Sequence, residues 1–167
     1  MYTTDFMPYN SMFLNNTYRK YTNPYYNEEL ITLNQAIELI KMSIENEKED
    51  QIFYDSLIKL ASTDKEKSII SSIRNDETKH NQILKNIYFD FTSMMFEPQE
   101  NVENENISQS YSELLEKALF GETDAIAKYR KIMSAMQDEK NYALIMAIMT
   151  DEIRHANKYN YLIAKQK

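Results

Sequence analysis

The chain holds only two histidines, and each closes the same pattern: Asp76-Glu77-Thr78-Lys79-His80 and Asp151-Glu152-Ile153-Arg154-His155. On an α-helix, residues three apart lie on one face, so Glu77 with His80, and Glu152 with His155, can each chelate one ion. A single Glu-x-x-His on a polar helix is usually a solvated surface pair. Two copies that use every histidine in the chain point to ligands. With no cysteine present, thiolate zinc sites, iron–sulfur clusters, disulfides and a thiol nucleophile are all excluded, and any metal is held by oxygen and imidazole. That donor set favours iron or manganese.

The two motifs belong to a longer repeat. At an offset of 75 residues, NEKEDQIFY (46–54) superposes on GETDAIAKY (121–129) and NDETKH (75–80) on TDEIRH (150–155). Glu47 then pairs with Glu122, Tyr54 with Tyr129, Asp76 with Asp151, Glu77 with Glu152 and His80 with His155. Within each half the two glutamates are 30 residues apart. Climbing from the first glutamate to a helix end and descending to the second takes roughly 20 Å each way at about 1.5 Å per residue, so both carboxylates reach one height. Each half thus reads as an antiparallel helix pair in which a Glu faces a Glu-x-x-His.

The elements that must hold these residues are four helices. A first runs from about Glu28 to Leu60 on a stripe of Leu33, Ala36, Ile37, Ile40, Ile44, Leu57 and Ile58. Thr63 and Glu66 have capping-box spacing for a second helix, which ends near Phe91; Ser110 and Glu113 repeat it for a third, which ends near Met136. A break at Gln137-Asp138 leads to a fourth, ending near Ala164. The stretch FTSMMFEPQENVENEN loses the helical period, and its length suits a crossover along the whole bundle rather than a tight turn. Residues 1–27, rich in Tyr and Asn and without helical period, read as an N-terminal arm ahead of a helical domain over 28–167.

Composition agrees with an all-α bundle: one glycine and three prolines in 167 residues leave little punctuation for hairpins. The net charge of −7 argues against a nucleic-acid partner. No basic, apolar leader or membrane-length segment is evident, which gives an expectation of a cytoplasmic protein without a membrane partner.

The arrangement resembles the ferritin-like di-iron carboxylate superfamily, and within it the rubrerythrin or erythrin-like branch, over about Glu28 to Ala164. Its signature is one Glu from each of two helices and a Glu-x-x-His from each of the other two. The resemblance implies a ferritin-like four-helix bundle with two Fe ions, or Mn, ligated by Glu47, Glu77, His80, Glu122, Glu152 and His155. It implies that Asp151 accepts the second N–H of His80 and Asp76 that of His155. It further implies a di-iron oxidoreductase acting on peroxide or O2, in a homo-oligomer such as a dimer. Alternatives are a ferroxidase that handles iron and a metal-free structural or interaction bundle. This chain lacks the four-cysteine rubredoxin domain of rubrerythrins, so electrons must come from an external donor protein or a small molecule.

Rubrerythrins also carry an extra Glu three residues beyond the third-helix ligand, where this chain has Ala125. The matching residue in the first half is Asp50, which either supplies a carboxylate from the opposite side or faces solvent. Tyr54 and Tyr129 lie two turns beyond Glu47 and Glu122, placed to bond a ligand carboxylate or to serve as core tyrosines. Close backbone packing at the site is one explanation for Gly121, the sole glycine, inside a helix. The methionines between 133 and 149 read as core filler.

Overall fold

In the computed structural model, residues 30–96 and 109–166 are described, apart from the side chains of Glu47 and Lys48. The expected N-terminal arm and most of the crossover lie outside them. The helices are α1 (Leu33–Glu45), α2 (Glu47–Leu60), α3 (Asp64–Thr92), α4 (Tyr111–Ala135) and α5 (Glu139–Ala164). The described residues form an all-α bundle.

Helix starts follow local chemistry. Thr32 with Gln35, Thr63 with Glu66 and Ser110 with Glu113 are reciprocal capping boxes, and the Asp138 side chain accepts from the Asn141 N–H. The first box sets the start of α1 at Leu33, where the apolar stripe begins and several residues later than the expected start near Glu28. The first predicted helix is also interrupted. Asn46, at φ −81° and ψ −1°, separates α1 from α2 while its carbonyl still accepts from the Asp50 N–H at 3.0 Å. Asn competes for backbone hydrogen bonds and is a poor interior helix residue, so a hydrophobic stripe alone does not reveal the break.

The segments α1 and α2 pack against α3 and α4, and α5 packs against the same two, so α1/α2 lies diagonal to α5. The core divides into two clusters. One holds Ile40, Ile44, Leu84, Ile87, Tyr129, Ile132, Ile145 and Ile148; the other holds Tyr54, Leu57, Ile70, Ile73, Leu114, Leu115, Tyr159 and Leu162. Residues 75 apart fall in opposite clusters: Ile70 and Ile145, Ile73 and Ile148, Leu57 and Ile132, Tyr54 and Tyr129. The internal repeat is therefore realised as an exchange of the two ends of the bundle.

The clusters also give chain direction. Helix α3 ends in the cluster with Ile87, while α4 begins in the other with Leu114 and Leu115. The end of α3 and the start of α4 therefore lie at opposite ends of the bundle, and residues 97–108 between them lie outside the described ones. Between the clusters lies a layer of buried polar residues, His80, Asn81, Glu122, Glu152 and His155. Burying so many ionisable groups at mid-height is costly unless they are paired or hold a cation.

Candidate metal centre

The polar layer is built from the middle turns of three helices. Helix α3 contributes Glu77, His80 and Asn81, α4 contributes Glu122, and α5 contributes Glu152 and His155. Glu47 is the first residue of α2, but its side chain lies outside the described residues. Glu77, Glu122, Glu152 and His155 each offer a ligand atom, all within 4.8 Å of one another, a group that could hold a metal ion. His80 joins them through Nδ1, 3.3 Å from both Glu77 Oε2 and Glu152 Oε1.

Both histidines are held from behind in the same way. His80 Nε2 lies 3.2 Å from Asp151 Oδ2, and His155 Nε2 lies 3.4 Å from Asp76 Oδ2. With Nε2–H donating to an aspartate, each Nδ1 is turned toward the glutamates. The aspartates are clamped in turn, because Arg154 reaches Asp76 at 2.9 Å and Asp151 at 3.0 Å, and Lys79 reaches Asp76 at 2.9 Å. This clamp was not anticipated. Its signal is a basic residue immediately before each histidine, three residues after each aspartate.

The electrostatics follow from crowding. Burial opposes charge on the imidazoles, but the glutamates outweigh it: Glu152 and Glu77 raise His80 to about 10, and Glu122, Glu152 and Glu77 raise His155 to about 11. Burial pushes Glu122 up to about 9. In Glu152, the close approach of His155, His80 and the Glu122 carboxyl overcomes burial and holds the carboxyl low. Asp76 would also be raised by its partial burial, but Lys79, His155 and Arg154 bring it down to about 2.

The donor set fits a divalent cation. Glu77 Oε1, Glu152 Oε1 and His155 Nδ1 are buried without a hydrogen-bond partner, while Glu152 and His155 are only 2 % and 0 % exposed. His155 Nδ1 sits 2.9 Å from Glu77 Oε1 without hydrogen-bond geometry. Lone-pair atoms crowded together in this way are what a cation satisfies.

Tyr54 and Tyr129 are buried in the wall of a cleft that opens onto this layer, and burial together with nearby carboxylates raises both phenols well above their usual range. Asp50 and Ala125 line the same cleft. Asp50 is exposed at its surface yet set among acids, so the loss of hydration and the charge of Glu77 push it up to about 7. Close packing does not account for Gly121, because a Cβ there would meet nothing within 4 Å; it lines the cleft instead. Of the methionines, Met136 is buried and Met133 and Met149 pack on the core, whereas Met146 is 48 % exposed. Asn81 and Lys128 also line the cleft; no spacing rule singles them out.

No protein-family profile matches the chain, and no curated protein matches it in sequence. Among solved structures, the chain is similar to a conserved hypothetical protein from Mycobacterium tuberculosis, with 11 % identity, a TM-score of 0.58, and coverage of 78 % of this chain and 92 % of that one. At that identity the likeness concerns the fold alone. No described helix is long and apolar enough to cross a membrane.

Proposed function

We propose that this chain is a di-metal carboxylate protein of the ferritin-like kind, holding two iron or manganese ions on Glu47, Glu77, His80, Glu122, Glu152 and His155. Its proposed activity is that of an oxidoreductase toward peroxide or O2, with electrons from an external donor protein. The observation that carries the reading is the matched pair of histidines, each with Nε2 on an aspartate and Nδ1 among buried glutamates.

Two such ions supply one-electron steps to a molecule bound beside them. The protein's own part is orientation and proton placement. Asp151 and Asp76 fix the imidazole tautomers, so the nitrogens facing the glutamates carry lone pairs when their protons leave. The two apolar clusters close the layer at either end, while the cleft gives access to Glu77, Glu122 and Glu152 from the side. Asp50, on the wall of the cleft, is placed to take or give a proton beside the proposed ligands.

The test is anaerobic loading of the full chain with Fe(II) or Mn(II). Two ions per chain by elemental analysis are expected, with a melting temperature raised by about 5–10 °C at saturating metal, and peroxide loss that requires both metal and an added reductant. Absence of bound metal together with an unchanged melting temperature would overturn the metal centre. Metal uptake without peroxide or O2 turnover would overturn the oxidoreductase.

A further inference from the structure

The cleft beside the polar layer is far larger than peroxide or dioxygen requires. Its volume is about 400 Å3, whereas a water occupies about 30 Å3 and a cavity of about 150 Å3 accommodates benzene. It also runs well past the candidate ligands. Its lining extends along the first helical segments from Ser43 to Tyr54 and along α4 from Lys117 to Tyr129, roughly 15 Å in each case. Space on that scale is the size of a small-molecule site.

Sequence makes the space. Where α4 faces the cleft it presents Ala118, Gly121 and Ala125 at helical spacing, a low strip between Lys117 at one end and Lys128 with Tyr129 at the other. Phe53 and Tyr54 of α2 and Tyr129 of α4 also line it, with Lys117 Nζ 5.6 Å from the centre of the Phe53 ring. One polar group in the lining lacks a partner and is not among the proposed ligands. Asn81 is 5 % exposed, and its Oδ1 has no hydrogen-bond partner. A buried amide oxygen left without a partner is unfavourable, so an incoming donor is favoured there.

We propose that this cleft is the binding site of a small hydroxylated aromatic molecule, a phenol in the simplest case. Its ring lies along Ala118, Gly121 and Ala125, bordered by the aromatic residues of the lining, and its hydroxyl donates to Asn81. The hydroxyl is the suitable group because it supplies the donor that the amide oxygen needs, while the ring supplies the apolar area that this lining can cover. The inference takes its position beside a metal centre from the proposed function, but binding itself requires only the cleft.

Phenol is the probe, added to the Mn(II)-loaded full chain, with the relaxation of its ring protons followed by NMR. Saturable enhancement is expected, absent from a Zn(II)-loaded control and weakened about tenfold for anisole, which has the ring without the donor. Gly121→Leu places a side chain in the cleft and should lower phenol binding about tenfold while leaving metal content unchanged. Asn81→Leu should bring phenol and anisole to equal affinity. Anisole binding as well as phenol to the unaltered chain, or phenol binding undiminished in Gly121→Leu, would overturn the proposal. A chain that takes up no Mn(II) defeats the metal reading separately; saturation-transfer NMR with the metal-free chain then decides the cleft, and no phenol signal there overturns it.

Discussion

Asp76 Oδ2 lies 3.4 Å from Nε2 of His155 and 2.9 Å from the Arg154 guanidinium, so one carboxylate on α3 ties the imidazole of α5 to its charged neighbour. The mirror contact, Asp151 to His80 at 3.2 Å, ties α5 back to α3. These two contacts orient both histidines from the side away from the glutamates.

Replacing either aspartate should weaken metal binding without unfolding the protein. For Asp76→Asn and Asp151→Asn, losses of about 10–100-fold in metal affinity are expected, measured by titration calorimetry with Mn(II). Unchanged affinity in both variants would show that the aspartates do not tune the histidines.

Metal-free protein should lose stability as pH rises above neutrality. The folded values of His80, about 10, and His155, about 11, exceed the ordinary 6.5, so their contribution is full below 6.5 and is lost as pH passes through the folded values. Glu122, raised from 4.5 to about 9, acts with the same sign, because ionising it in the buried layer is unfavourable. Urea melts of the metal-free chain from pH 6 to pH 10 should show falling stability, about in line with net proton release on unfolding. A flat or rising profile would contradict the proton-held layer.

Metal binding must displace those protons. In a weak buffer at neutral pH, Mn(II) addition should release protons from His80, His155 and Glu122 and acidify the solution, with apparent affinity rising with pH. A pH-independent affinity would count against ligation by these residues.

Gly121→Ala should stabilise the chain. The position is inside α4, the new Cβ meets nothing within 4 Å, and glycine costs about 1 kcal/mol against alanine in a helix interior. A thermal melt reads the gain; a lower melting temperature would reveal a packing constraint at Gly121 after all.

The repeat predicts paired core effects. Leu57→Ala and Ile132→Ala remove fully buried side chains at matching positions in opposite clusters, and each should cost about 2–5 kcal/mol by chemical denaturation. Stabilities unaffected by either change would place these residues outside the core.

Much of this protein is written in local order. Capping residues with helical stripes specify where most helices begin, and the offset of 75 residues sets Glu-x-x-His against Glu-x-x-His and cluster against cluster. The interruption at Asn46 was hidden because it falls in the wholly polar run 45–51, where no apolar residue reports the course of the helix. The bridging of Asp76 and Asp151 by Arg154 was hidden because spacing within one helix shows only the partner on that helix.

The sequence by itself determined which residues are able to bind a cation, because side-chain chemistry and helical period are properties of neighbours along the chain. Only the tertiary structure decided the gathering of half-buried Glu77 with buried Glu122, Glu152 and His155, the raised and lowered proton affinities of those last three, and the cleft beside them. Desolvation and enclosed volume depend on how separate helices pack, and Ala118, Gly121 and Ala125 of α4 line a cleft only because residues of the first helical segments and of α3 gather around it.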